Sequence, residues 1–156
     1  MTTTFRLQSR LPRVGTTIFT VMSKLATDLD AINLSQGFPD FDCDPALVEA
    51  VAKHMRDGRN QYAPMQGVPA LREAIAAKYA LFHGREYDPA TEVTVTSGGT
   101  EAIFDAVTCV AGHGDEVIVL EPCYDCYVPA IELSGARPVV VPLRLPDYSV
   151  DWAGVE

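Results

Sequence analysis

The sequence predicts an α/β fold, a parallel-type sheet with flanking helices, and three observations carry that prediction. Residues 92–96 alternate β-branched side chains as a buried strand does, then break at Ser97-Gly98-Gly99. Beyond the break the period lengthens, and Ala102, Ile103, Ala106, Val107, Val110 and Ala111 share one helical face. The same change of period recurs downstream: residues 116–120 read as a strand, a helix follows Glu121-Pro122 as far as Ser134, and a third strand runs from Arg137 to Leu143. Strand, helix, strand, helix, strand implies right-handed βαβ units. Ligands of such sheets sit at the carboxyl ends of the strands.

The elements upstream follow from local chemistry. Residues 1–15, polar and carrying Pro12 and Gly15, read as an extended arm. Thr16 or Thr17 is placed to cap a helix with Ile18, Met22, Leu25 and Leu29 on one side. Ala31-Ile32-Asn33-Leu34 is a short strand candidate that runs into a loop containing Gly37, Phe38, Pro39 and Phe41. Asp44-Pro45 is a strong helix start, a capping carboxylate followed by proline at the first helical position. Leu47, Val48, Val51 and Met55 give that helix an apolar face to bury, and Gly58 ends it. After a turn-rich loop, a second helix starts near Pro69, carries Leu71, Ile75, Tyr79 and Phe82 at helical spacing, and closes at Gly84. Tyr87-Asp88-Pro89 is a turn, Gly135 stops the later helix, and Asp151-Trp152 opens a further one.

Composition narrows the class of partner. With 156 residues and 47% hydrophobic content, the chain is expected to form a real core. A net charge of −9 without a basic cluster argues against nucleic acid or an anionic membrane surface, so any bound anion must be held by local geometry. No apolar run reaches membrane-spanning length. Cys43, Cys109, Cys123 and Cys126 lack the density of a disulfide scaffold, and reduced thiols in the cytoplasm are expected. The first 27 residues carry Arg6, Arg10, Arg13 and Lys24 and no acid, as a transit peptide does, but their amphipathic pattern continues into what reads as folded protein.

Residues 92–111 hold the richest chemistry. A strand, two glycines and a helix start form a socket for an anion, because free backbone N–H groups and the helix dipole converge there. A tight turn with a hydroxyl near the helix start reads equally well from these residues alone, and neither a P-loop nor Gly-x-Gly-x-x-Gly is present. Glu101, in the first turn, suits the dipole but opposes a phosphate unless it points away. Tyr124 follows a strand end after a proline, where its ring either packs on the surface or stacks on a planar heterocycle. Cys123-Tyr124-Asp125-Cys126 has the spacing of a redox pair or half a zinc site. Idle thiols are the simpler reading, since no paired second half exists and no metal is expected. Gly37 and Tyr62 sit in loops without local chemistry of their own, and His54, His83 and His113 lack a carboxylate or nucleophile set for catalysis.

Five stretches together resemble the class I/II pyridoxal-phosphate aminotransferases, nearest the kynurenine/glutamine and methionine branch. They are residues 32–40 (INLSQGFPD), 60–67 (NQYAPMQG) with Leu71-Arg72, 94–102 (TVTSGGTEA), 114–117 (GDEV) and 121–127 (EPCYDCY). The resemblance implies a fold type I transferase with pyridoxal 5'-phosphate as cofactor and an amino acid and a 2-oxo acid as substrates. It places Gly99 and Thr100 on the cofactor phosphate and Tyr124 on the pyridine ring. Tyr62 would reach across a homodimer to the neighbouring phosphate, and Gly37 would lie by the substrate carboxylate. Residues 1–43 would be the arm and a small-domain segment, and residues 44–156 the first part of the large cofactor domain.

One departure matters. The family uses a lysine that bonds the cofactor and transfers the proton, whereas Lys24, Lys53 and Lys78 fall on helices and none follows a strand at the expected place. The chain therefore reads as the first part of one well over twice as long. It holds no catalytic residue, and alone it should be inactive and either poorly folded or prone to associate. A carbon–sulfur β-lyase on the same scaffold and a non-catalytic anion-binding remnant are the alternative readings.

Overall fold

The computed structural model describes residues 8–37, 39 and 41–155. Their elements run α1 (Ile18–Asp28), α2 (Pro45–Arg56), α3 (Pro69–His83), α4 (Gly99–Val110), β1 (Glu116–Glu121), α5 (Tyr127–Ser134), β2 (Arg137–Pro142) and α6 (Trp152–Val155). Helix ends fall where capping chemistry puts them. The Thr17 hydroxyl accepts from the Thr20 N–H at 3.4 Å, and the Asp44 carboxylate accepts from the Ala46 N–H at 2.8 Å beside Pro45. Gly84 and Gly135 close α3 and α5 in the left-handed conformation that L side chains avoid. Lys24 pairs with Asp28 and Lys53 with Asp57, each one turn apart on an exposed face.

The chain divides into two compact units. The first comprises the chain up to Gln36 and from Ser97 onward. In it β1 and β2 pair in parallel, from Glu116 opposite Arg137 to Glu121 opposite Pro142, with α5 as the crossover. The Arg137 guanidinium binds the Glu116 carboxylate at the start of that register. Val119, Ile131 and Ala136 form the buried centre, and Val107, Ala111, Val117, Cys123 and Val128 pack around it. Helices α4 and α5 thus lie against each other beside the strand pair. The arm is pinned to the end of α5, where Arg10 donates to the Leu133 carbonyl at 2.8 Å and Arg13 pairs with Glu132. Arg10 there satisfies one orphan carbonyl of the helix C-terminus, where a cation suits the dipole.

The second unit, Gly37–Thr96, holds α2, α3 and the loops around them. Arg72 donates to the Ala90 carbonyl at 3.2 Å, and the Val95 N–H donates to the Gln66 carbonyl at 3.0 Å. Gly67, at φ +100°, lets that contact form: a Cβ there would stand 2.8 Å from Val95 Cβ.

Three expectations are corrected. Residues 92–96 form no strand, and among the described residues the sheet has two strands rather than three. Side-chain alternation reports which faces a segment offers, but a strand exists only through a partner, and the Val95–Gln66 bond is not a ladder. Residues 31–34 are likewise not a strand. There the Asn33 amide oxygen accepts from the Ser35 N–H at 3.0 Å, a local bond that competes with a ladder. Burial is the third correction. The α2 face made by Leu47, Val48, Val51 and Met55 is exposed, and the buried hydrophobic residues are Ala76, Val119, Ala130, Ile131 and Ala136. The chain exposes 13210 Å² of surface, whereas a folded monomer of this mass exposes about 7,700 Å² by the mass scaling of accessible area.

Candidate functional site

The socket proposed from sequence is built by the start of α4. Gly98 is its N-cap at φ 89° and ψ 169°, a backbone region open to glycine and strained for any other residue. No side chain caps the helix, so the first-turn N–H groups of Gly99, Thr100 and Glu101 have no intrahelical acceptor. A Cβ at Gly98 or Gly99 would meet nothing within 4 Å, so the surface beside the helix start is open. Glu101 turns back, and its carboxylate accepts from the Ser97 N–H. The acid does not point away: it is held on the socket's own loop and lines the same hollow as Thr100, so its charge stands beside any anion bound there.

That hollow, about 470 Å³, lies between α4 and α5. Ser97, Thr100 and Phe104 form one wall, and Cys126, Pro129 and Leu133 stand on the other. Its polar groups gather at the helix start and its apolar groups lie deeper along the two helices. Tyr124 lines a different hollow, about 510 Å³, with Glu121, Pro122, Cys123, Asp125 and Val128. Its ring meets Tyr127 edge-on at 6.0 Å. Gly99, Thr100 and Tyr124 therefore belong to one unit, with Thr100 facing α5 and Tyr124 at the carboxyl end of β1.

Gly37 and Tyr62 belong to the other unit and are described within it. Gly37 has nothing within 4 Å of where a Cβ would be. Tyr62 stands fully in solvent on the loop after α2, at 103% of its reference exposure, which no packing role explains. Phe38 and Asp40, part of the motif around Gly37, lie outside the described residues.

The electrostatics separate idle from engaged groups. Burial pushes the Cys123 thiol above its ordinary value, and the charges of Glu121, Cys126 and Asp125 add to the rise. All four cysteines are free thiols. No group of three or more metal-ligating side chains is gathered among the described residues. In the second unit the Asp88 carboxyl is held below its ordinary value, first by the Ala90 N–H, then by the Thr91 hydroxyl. Lys24 and Lys53 are ion-paired, and Lys78 lies on α3. Sequence reasoning missed the Glu101–Ser97 bond and the shared hollow of Thr100 and Cys126. The first had a signal, an acid at the third helical position. The second needed the packing of α5 on α4.

A parallel strand pair, a glycine-started helix and an aromatic at a strand's carboxyl end define an α/β protein of the kind that binds ligands at the carboxyl ends of its strands. The model of the aminotransferase class I and II family matches residues 30–156. The chain belongs to that family. Methionine aminotransferase of Escherichia coli (strain K12) is 54% identical over 145 residues, covering 93% of this chain and 38% of the relative. Kynurenine–oxoglutarate transaminase 3 of Rattus norvegicus is 36% identical over 141 residues, covering 90% and 31% respectively. Among solved structures, an Escherichia coli protein with a methionine aminotransferase function superposes with a TM-score of 0.91 at 51% identity, over 97% of this chain and 40% of that one. N-succinyldiaminopimelate aminotransferase from Mycobacterium tuberculosis gives 0.82 at 46% identity, over 90% and 37%. The chain thus spans less than two fifths of the length of these curated relatives. Its fold is that of these aminotransferases, α/β with a small parallel sheet and flanking helices, a family generally dependent on pyridoxal phosphate. No helix among the described residues is long and apolar enough to cross a membrane.

Proposed function

We propose that this chain forms the phosphate-holding part of a pyridoxal-phosphate aminotransferase that moves an amino group between an L-amino acid and a 2-oxo acid. The observation that carries the reading is the start of α4: a glycine cap at positive φ, no side-chain cap, and a threonine in the first turn. The family membership and the aminotransferase names of the relatives support it. The donor set fits a phosphate monoester. Backbone N–H groups at the positive end of a helix bind a dianion without a lysine, which suits a chain of net charge −9.

In this reading the N–H of Gly99 and the N–H and hydroxyl of Thr100 donate to the phosphate oxygens. Tyr124 supplies a flat apolar wall for the pyridine ring. Gly37 offers its backbone to the substrate carboxylate, and Tyr62 reaches the phosphate of a second subunit in a homodimer. Residues 44–156 contribute to the cofactor domain and residues 1–43 to the arm and small domain. Bound pyridoxal phosphate supplies an electron sink for bond breaking at the α-carbon of the amino acid. The chain's own residues bind and orient; Lys24 and Lys53 are occupied by Asp28 and Asp57. We place the complete enzyme in the cytoplasm, since the four cysteines of this chain lack the density of a disulfide scaffold.

The test is a titration of the purified chain with pyridoxal phosphate, followed by tyrosine emission and by equilibrium dialysis, with inorganic phosphate as competitor. Binding should be weak and competed by phosphate. Thr100→Val should weaken it roughly tenfold, the effect of losing one hydrogen bond to a charged group, about 1.5 kcal/mol. Binding indifferent to Thr100→Val and to phosphate would overturn the assignment, and amino-acid-dependent turnover by this chain alone would overturn its reading as a part that only binds.

A further inference from the structure

We propose that Glu101 determines which anions the start of α4 accepts: its carboxylate holds the loop before the helix, and its charge weakens doubly charged ligands more than singly charged ones. The inference rests on the phosphate reading given above and deepens it. The Glu101 carboxylate accepts from the Ser97 N–H, one residue ahead of the Gly98 cap, so the side chain is tied to the loop at the helix start. Glu101 also lines the hollow of about 470 Å³ that Thr100 lines. Neither lysine nor arginine lines that hollow, so no cation in its wall offsets the charge.

The carboxylate therefore has two separable roles. As an acceptor it draws Ser97 back onto the first turn of α4, and an acid in that turn suits the helix dipole. As a charge it opposes the ligand. An anion beside the Thr100 hydroxyl meets the attraction of the helix start and the repulsion of Glu101 together. That repulsion grows in proportion to the charge of the anion. The bond to the Ser97 N–H needs only an oxygen lone pair, which an uncharged amide also offers. Glu101 is exposed, so water screens the repulsion and keeps it modest. In a high dielectric, an acid roughly 8 Å from a dianion lowers its affinity about fivefold, and that of a monoanion about twofold.

The test compares sulfate, doubly charged near neutrality, with methanesulfonate, which presents the same kind of tetrahedral head with a single charge. Binding of each is read from the amide NMR shifts of Gly99 and Thr100, in the unsubstituted chain and in Glu101→Gln, at matched ionic strength. Glutamine keeps the oxygen that accepts from Ser97 and removes only the charge. Glu101→Gln should tighten sulfate about fivefold and methanesulfonate about twofold. It should leave the hydrogen-exchange protection of the Ser97 amide in place, whereas Glu101→Ala should abolish that protection. Unchanged sulfate affinity in Glu101→Gln, or equal gains for the two anions, would overturn the proposal. So would loss of the folded amide spectrum in Glu101→Gln, since the charge would then hold the helix rather than select the ligand. If neither anion moved the two amides in any of these proteins, the phosphate reading itself would fall and this proposal with it. That outcome is distinct from binding that ignores the charge at position 101.

Discussion

Asp88 shows how much a single exposed carboxylate does when its oxygens are fully used. One oxygen accepts from the Ala90 N–H at 2.9 Å, the other from the Thr91 hydroxyl at 2.7 Å, and Arg72 adds an attractive charge. These interactions favour the ionised form, so the folded pKa lies below the unfolded one. The contribution to stability is therefore fully present above the ordinary carboxylate range, and it is lost as pH falls through the lower, folded value. Following the Asp88 carboxyl and the Ala90 amide by NMR from neutral pH downward should show titration below that of a model peptide. Asp88→Asn should loosen this turn at neutral pH and make little difference at the acid end. Titration at or above the ordinary value would remove Asp88 as the organiser of the turn. At this scale the sequence was legible: Asp88-Pro89 announced the turn, and Asp44-Pro45 announced the start of α2. In each, a short carboxylate accepts from the backbone N–H two residues on, so the information is local.

Elements were legible where their ends are chemical and illegible where they depend on a distant partner. Thr17, Asp44, Gly84 and Gly135 stand at the ends the sequence indicates, and β1 and β2 pair in parallel around α5 as a βαβ unit requires. Residues 92–96 carry as good a strand pattern as β1 yet form no ladder. The glycine start of α4 was readable for the first reason, since a glycine at positive φ before a helix without a side-chain cap is a local event. Its facing wall on α5 was not, because no pattern in residues 126–133 says what they pack against. Residues 92–96 are tied to their unit by the Glu92 N–H on the Asp88 carbonyl and by the Val95 N–H on the Gln66 carbonyl, and Gly67 makes room for the second. An alanine there would meet Val95 Cβ and Cγ2 at 2.8 Å while adopting φ +100°. Backbone strain of this kind costs on the order of 1–3 kcal/mol, and the clash adds to it. Gly58, at φ +77° with nothing within 4 Å, isolates the strain alone. Gly67→Ala should therefore abolish hydrogen-exchange protection of the Val95 amide, whereas Gly58→Ala should leave it in place. Equal effects of the two substitutions would show that the Gly67–Val95 contact does not anchor the segment.

On the scale of the whole chain, the sequence specifies more apolar surface than these 156 residues cover. The helices are amphipathic as their periodicity requires, but Leu47, Val51, Met55, Leu81, Val110 and Leu120 remain exposed. A sequence pattern states which face a helix buries; it does not state that the covering surface lies in the same 156 residues. The excess over the expected surface of a folded monomer, roughly 5,500 Å², is on the scale of the largest obligate interfaces, which bury about 5,000 Å² or more. Apolar faces of that extent, beside a two-stranded sheet with free edges, favour association over a dispersed monomer. In sedimentation velocity the purified chain should sediment as a concentration-dependent series of species. It should also bind 1-anilinonaphthalene-8-sulfonate and unfold over a broad temperature range. Exposure of this kind leaves little heat-capacity change for unfolding, so the loss of signal with temperature should be shallow. A sharp, cooperative melt of a monodisperse monomer that does not bind the dye would mean that the α2 and α4 faces are covered in solution, and the reading of this chain as an uncovered part of a larger assembly would fall.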